Sequence, residues 1–291
     1  MMTSVPQSDH LTAGELKFLT DAAQYLENPS LLMQLADAVG KPLEWVLKTA
    51  DKVAPGRLDE AVGAALRTAL SVAVRTIPSG ATPGERSTEE VGTTSSVLHK
   101  FSVALTGSVG GLFGVAGLAL ELPITTTIML RSIAAIARDF GEDVSKPETE
   151  LQCLTVFCLG GPAASDDAMD SAYLATRFGM QEVLAHAASA VAGLTAEQFA
   201  ATIQKGTAPA LASLITKVAA RFNVTVTEKT LLQAVPVLGA AAGATINVAF
   251  IDHFNRVARF HFGIRRLERK YGADAVQANY RAAVQRIRRE G

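Results

Sequence analysis

The sequence has few cysteines, few aromatic residues and few charges. Of its 291 residues only two are cysteine, 6% are aromatic and 19% are charged, whereas about 25% charged residues is usual in a soluble domain. Cys153 and Cys158 cannot form a disulfide framework, and their spacing matches no metal-binding motif. We expect both to be buried, reduced thiols.

The common catalytic and metal-binding motifs are also absent from the sequence. The chain contains no H-E-x-x-H, G-x-S-x-G or C-x-x-C, which excludes the enzyme classes that these motifs define. His253 and His261 lie about 80° apart around a helix, a poor geometry for a metal pair. We therefore predict no metal site and no cofactor, and we expect both histidines to be hydrogen-bonded or solvated.

The N-terminal residues carry no secretory signal pattern. MMTSVPQSDH has no basic segment followed by an apolar run. Together with the low cysteine content, this predicts a reducing, cytoplasmic location.

Two long uncharged stretches, 102–120 and 230–251, dominate what is present. Each is long enough to cross a bilayer, but each consists mainly of Gly, Ala, Val, Thr and Ser. Such residues favour membrane insertion only weakly, so we favour close-packed helices in a compact core, with membrane contact left open. Three small-xxx-small pairs would allow this close packing, namely Gly107/Gly111, Gly110/Gly114 and Gly239/Gly243.

Helix signals recur along nearly the whole chain and predict an all-α, compact multi-helix bundle with Gly/Ala-rich central helices. Thr12 and Glu15 form a capping-box pattern, and a helical apolar stripe follows at 58–76. A corner is expected at 121–123, and only 223–227 (NVTVT) resembles a strand. The predicted helices cover 13–27, 30–39, 43–53, 58–76, 124–140, 151–159, 165–191, 195–204 and 209–222.

Composition also suggests how the chain is divided. Only 78–96 has the composition of a mobile linker or loop. It separates N-terminal helices at 1–77 from a helical core at 97–272, and we expect 29–77 to pack with that core as one domain. Residues 273–291 form a basic C-terminal tail.

Positive charge is concentrated near the C-terminus. From residue 253 onward there are ten Lys/Arg against three Asp/Glu. This pattern favours either an anionic membrane surface or a helix packed on the core with a solvated basic face. No nucleic-acid-binding motif accompanies the charge, so nucleic acid is not an expected partner. On a helix over 256–271, the basic arc contains Arg259, Arg265, Arg266, Arg269 and Lys270.

Several polar residues interrupt the apolar segments. Glu121, Arg131 and Asn247 would be costly to bury alone, so each needs a partner. We predict an ion pair between Glu121 and Arg131 across the corner at Pro123. The alternative is a pocket or intramembrane site.

An acidic group, Asp166, Asp167 and Asp170, is better explained by the start of a helix than by a metal site. A divalent ion would need more oxygen ligands than these three carboxylates provide.

Several segments resemble the EcsC family. They are 28–47 (NPSLLMQLADAVGKPLEWVL), 123–143 (PITTTIMLRSIAAIARDFGED), 151–161 (LQCLTVFCLGG), 235–247 (VPVLGAAAGATIN) and 265–272 (RRLERKYG). The resemblance covers about 29–272. This bacterial family takes its name from a protein encoded beside an ABC transporter, and its molecular activity is not established. The resemblance therefore implies a fold and a family, and no catalytic residue.

Two functions remain from the sequence. The favoured one is a membrane-associated accessory or interaction protein on the cytoplasmic face. It would be peripheral at the inner membrane or inserted in it. A membrane protein such as a transporter is the expected partner. The alternative is a soluble hydrolase-like enzyme with a polar pocket of Glu121, Arg131 and Asp166, joined by Asn247 or Asp252. We favour the first because no acid–base–nucleophile set is evident.

Overall fold

The computed structural model of the chain describes residues 10–27, 58–76, 114–159, 171–233 and 239–290. Its regular structure in these ranges is α-helical and contains no β-strand, which confirms the all-α prediction. The helices of the described residues are α1 (Ala13–Leu26), α2 (Leu58–Thr76), α3 (Gly114–Asp139), α4 (Pro147–Leu159), α5 (Ala172–Val191), α6 (Ala196–Lys205), α7 (Pro209–Gln233), α8 (Gly239–Tyr271) and α9 (Ala273–Glu290).

Local capping signals fix several helix ends. Thr12 and Glu15 form the predicted capping box at the start of α1. Thr195 and Gln198 form a second one at the start of α6. In each box the side chains satisfy backbone N–H groups that have no partner within the helix. Helix α6 ends at Gly206, whose left-handed φ of 63° favours glycine.

Helix α4 lies at the centre of the bundle. It packs against α2, α3, α5, α7 and α8. Its side chains from Cys153 to Leu159 are all buried, as expected for a helix that is apolar on every side. The ring of Phe157 packs against Phe222 of α7 and Phe254 of α8. The core of the molecule is therefore built around α4.

Both cysteines lie on this central helix. Cys153 and Cys158 are free and buried, as the sequence predicts. Burial raises the pKa of the Cys158 thiol to about 12 and raises that of Cys153 further. Both thiols are therefore protonated at neutral pH, and their role is to pack the core.

The strand-like segment 223–227 is helical, so that prediction is wrong. It lies within α7, which continues to Gln233. Thr225 and Val226 are fully buried, and the Thr227 hydroxyl donates to the carbonyl of Asn223 at 2.8 Å. Tertiary packing thus overrides the β-propensity of these branched residues.

The corner predicted at 121–123 is also wrong. Helix α3 runs from Gly114 to Asp139 with Pro123 inside it. Proline has no N–H to donate to the carbonyl four residues earlier, yet the helix continues beyond it. The Thr127 hydroxyl donates to the carbonyl of Pro123 at 2.7 Å.

Helix α5 begins later than the sequence predicts. Its N-cap is Ser171, which has an extended backbone and accepts a hydrogen bond from the N–H of Leu174. The predicted start at 165 is therefore incorrect, and Asp166, Asp167 and Asp170 lie outside the described residues.

The described residues cover only part of each uncharged stretch. Residues 102–113 lie outside the described residues, as does the linker at 78–96, and 114–120 begin α3. Of the stretch 230–251, residues 230–233 belong to α7 and residues 239–251 belong to α8, and 234–238 lie outside the described residues. Among the described residues, no helix has the length and apolar character that crossing a membrane requires.

The C-terminal basic residues belong to a packed helix. Helix α9 contacts α1 and α8 and buries Tyr280 completely. The Tyr280 hydroxyl donates to the Glu27 carboxylate at 3.1 Å. That carboxylate also accepts from the Ser171 hydroxyl at 2.6 Å and the Ala172 N–H at 2.8 Å. Glu27 therefore ties the end of α1 to the start of α5 and to α9.

Candidate functional site

Glu121 pairs with Lys229 and not with Arg131. The Lys229 ammonium lies 2.7 Å from the Glu121 carboxylate and 4.9 Å from the centre of the Phe250 ring. Lys229 is fully buried, whereas Arg131 is exposed. Burial lowers the pKa of Lys229, and the Glu121 carboxylate opposes this change. The predicted Glu121–Arg131 pair is wrong because α3 does not turn at Pro123.

The remaining catalytic candidates are spread along the chain. Asn247 is buried on α8. Asp252 is partly exposed and lies 3.6 Å from Arg256 one helical turn away, while Asp166 is outside the described residues. The described residues therefore do not bring Glu121 and Arg131 into a shared polar pocket.

Three of the five cations predicted to face a membrane form ion pairs within the protein. Arg265 binds both oxygens of Glu142 at 2.8 and 3.2 Å, and Arg269 binds the same carboxylate. Lys270 lies 3.0 Å from Glu15 of α1. These contacts attach the C-terminal half of α8 to α1 and to the segment between α3 and α4.

The other two cations of that arc, Arg259 and Arg266, are partly buried on α8. Arg259 has an interaction partner within the protein. Arg266 has one buried guanidinium nitrogen without a hydrogen bond in the described structure.

A second group of cations remains open to solvent at the end of α9. Arg286, Arg288 and Arg289 are exposed, and we call them the α9 arginine cluster. Within the described part of the chain, no carboxylate forms an ion pair with any of them. This cluster is therefore the surface at which the C-terminal positive charge is available.

Helices α4, α5 and α8 line a small, partly open polar cavity of about 40 Å³. Its apolar wall includes Leu159, Met180 and Leu184. Its main polar lining comes from Gln152 of α4, Arg177 and Gln181 of α5, and His261 and Arg265 of α8.

His261 is the most deeply buried polar residue of this lining, with 1% of its surface exposed. Its Nδ1 lies 3.0 Å from the Tyr173 hydroxyl, whereas Nε2 has no hydrogen-bond partner in the described structure. Burial lowers the pKa of His261 well below its usual value, and the charges of Arg177 and Arg265 lower it further. The imidazole is therefore neutral at pH 7.

Two carboxylates hold the arginines of the cavity. Glu268 binds Arg177 through both oxygens, at 2.8 and 2.5 Å. Glu142 binds Arg265 in the same two-point manner. A guanidinium held at two points has little rotational freedom, so its remaining N–H groups keep fixed directions.

His253 differs from His261 in that the structure accounts for its burial. It is fully buried on α8, and its Nδ1 lies 2.8 Å from the Tyr25 hydroxyl. This confirms the expectation of a hydrogen-bonded histidine. The described residues contain no group of three His, Cys, Asp or Glu side chains that could hold a metal ion.

Sequence patterns did not predict the ion pairs of Lys229 and Glu142 or the buried environment of His261. Lys229 lies between Glu228 and Thr230, and its partner lies 108 positions away. Glu142 is separated from Arg265 by 123 positions. The only available signal was that a charge on a largely apolar helix face needs a partner.

A family model described as the EcsC protein family matches residues 36–267. No curated protein and no solved structure matches the chain. The match spans most of the sequence and includes α2 to α7 and most of α8. The chain belongs to the EcsC protein family.

Proposed function

We propose that this EcsC-family protein is an accessory or interaction protein that binds peripherally to the anionic cytoplasmic face of a membrane. The observation that carries the proposal is the α9 arginine cluster, which is exposed and has no ion-pair partner in the described structure. A membrane protein such as a transporter is the proposed partner at that surface.

Two physical arguments support this role for the cluster. Each Lys or Arg close to an anionic lipid surface contributes about 1 kcal/mol to binding. Helix α9 also packs against α1 and α8, so its arginines are presented by a fixed element. The competing explanation is that they only stabilise the C-terminal end of the helix dipole.

The hydrolase alternative receives no support from the described residues. Glu121 is neutralised by Lys229, and Arg131 points to solvent. The pocket that this alternative requires would need both side chains together with Asp166.

Vesicle cosedimentation tests the proposal. We expect the full chain to sediment with phosphatidylserine-containing vesicles and not with pure phosphatidylcholine vesicles, and we expect salt to weaken the binding. R286Q/R288Q/R289Q should bind at least about tenfold more weakly. The matched control is R75Q/K205Q/K217Q, which removes three other exposed cations.

Circular dichroism should show that both triple variants remain folded. Unchanged binding of R286Q/R288Q/R289Q, or equal loss in the two triple variants, would contradict a role for the α9 arginine cluster. Equal binding to neutral vesicles would contradict the electrostatic mechanism.

A further inference from the structure

The cavity between α4, α5 and α8 contains a buried hydrogen-bonding group that has no partner. His261 lines this space, and no described atom forms a hydrogen bond with its Nε2. An unpaired buried polar atom is costly to the folded state. A ligand or a water molecule in the cavity would remove that cost.

The neighbours of His261 indicate that Nε2 is a donor. Arg177 lies beside Tyr173, and a cation beside the hydroxyl directs the oxygen lone pair toward itself. Burial raises the pKa of Tyr173 to about 12, so this hydroxyl keeps its proton. The hydroxyl then donates to Nδ1, and the ring proton of the neutral imidazole lies on Nε2.

The charges around the cavity favour an anion. Arg177, which lines the cavity, pairs with Glu268. Arg265, which also lines it, shares Glu142 with Arg269 of the next helical turn. Three cations face two carboxylates, which leaves one positive charge. Each guanidinium has five N–H donors and uses only some of them on its carboxylate, so donors remain for a ligand.

The size of the cavity limits what it can hold. A water molecule needs about 10–15 Å³ of such space, so about 40 Å³ accommodates a group of a few atoms. Gln181 is exposed at one side of the cavity. The remainder of a larger molecule could therefore lie outside, beside Gln181.

We propose that this cavity binds a small oxyanion group, a carboxylate or a phosphate, with His261 Nε2 as the buried donor and Arg177 and Arg265 as the flanking cations. Glu142 and Glu268 are positioning residues that orient the two guanidinium groups. The site is independent of membrane binding, because its residues are not those of the α9 arginine cluster.

NMR of the imidazole nitrogens tests the site directly. Inorganic phosphate and acetate are titrated separately into the full-length chain at millimolar concentrations, and the His261 signals are assigned with H261Q. The titrations are repeated in R286Q/R288Q/R289Q, which removes the surface arginines as an alternative phosphate site. We expect a saturable shift of the His261 Nε2 signal in both backgrounds.

A charge placed at the opening of the cavity provides the decisive variant. Q181E adds a carboxylate at an exposed position, so it should keep the fold and weaken anion binding at least about tenfold. Q285E makes the same change at an exposed position of α9 that does not line the cavity. Its affinity should stay within about twofold of the unmodified chain, a free-energy change below about 0.5 kcal/mol.

The two titrations identify the ligand class. Saturation by phosphate alone assigns a phosphate group, saturation by acetate alone assigns a carboxylate, and saturation by both assigns a general oxyanion site. No shift of His261 with either anion would mean that water alone fills the cavity and would overturn the proposal. If Q181E and the unmodified chain bound the anion with equal affinity, the assignment of the anion site to this cavity would be overturned.

Discussion

Lys229 is a fully buried cation whose carboxylate partner lies on another helix. The ion pair with Glu121 joins α7 to α3, and the ammonium also faces the Phe250 ring of α8. Removing two charges from water is costly, so such a pair is weak evidence of net stabilisation. Breaking it from one side leaves an uncompensated charge, which is strongly destabilising.

Glu121→Gln should therefore lower the free energy of unfolding by about 3–5 kcal/mol. Urea denaturation followed by circular dichroism measures this change. Arg131→Gln is the control on the same helix, and it should change stability by less than about 0.5 kcal/mol because Arg131 is exposed.

A double variant separates loss of the pair from loss of packing. E121Q/K229M removes both charges and should recover part of the stability that E121Q loses. If Arg131→Gln were the more destabilising of the two single changes, the assignment of Lys229 as the partner of Glu121 would be wrong.

Glu150 is a buried acid in the first turn of α4. Burial raises the pKa of Glu150 to about 8, from its usual 4.5. The folded protein thus binds a proton more tightly than the unfolded chain. The contribution of Glu150 to the free energy of unfolding is therefore fully present below pH 4.5 and is lost as the pH rises toward 8.

Glu150→Gln should remove this decline. Between pH 5 and pH 8, the unmodified chain should lose about 3 kcal/mol more stability than the variant. Urea denaturation at the two pH values gives the difference. Glu148→Gln changes an exposed acid of the same turn, and its pH dependence should match that of the unmodified chain. Equal pH profiles for all three proteins would contradict a buried, protonated Glu150.

At the scale of helices, α1 and α8 meet where Gly263 faces Phe18. A methyl group at Gly263 would overlap the Phe18 ring, which is itself packed 5.6 Å from the ring of Phe260. The close contact between these helices therefore depends on the missing side chain at Gly263.

Gly263→Ala should destabilise the protein by about 1–3 kcal/mol, because the ring must move within a packed core. Gly179→Ala on α5 has no neighbouring atom within 4 Å of the added carbon. It should stabilise the protein by about 0.5–1 kcal/mol through helix propensity. Thermal denaturation measures the change in stability of each variant. If both variants were stabilised, or both destabilised, the close contact between Gly263 and Phe18 would be contradicted.

Helix ends that depend on neighbouring residues were predictable from the sequence. The capping box of Thr12 and Glu15 sets the start of α1, and the apolar stripe gives the bounds of α2. The helical state of 223–227 and the continuity of α3 through Pro123 depend on distant packing. Local propensity favoured a strand and a corner at these positions, and tertiary contacts outweigh it.

The candidate cavity was less predictable than the helices. His261, Arg177 and Gln152 come from three helices that are distant in sequence. Their spacing in the sequence therefore does not predict that they line one cavity. The sequence supports only the general expectation that buried polar groups have hydrogen-bond partners.

At the scale of the whole molecule, ion pairs decide which charges remain available to a partner. The carboxylates Glu15, Glu142 and Glu268 engage cations of α5 and α8. The basic arc of α8 therefore serves largely to hold the bundle together. In the C-terminal region, accessible positive charge without an ion-pair partner remains in the α9 arginine cluster, which is the proposed membrane contact.

Fractionation of cells expressing the full chain tests peripheral membrane binding most directly. Isolated membranes are washed in turn with high salt, carbonate and detergent, and the protein is followed by immunoblotting. If binding is peripheral and electrostatic, the protein is bound to the membrane and high salt releases it, because screening weakens contacts between arginines and anionic lipid. Release by detergent alone, or absence from the membrane fraction, would contradict it.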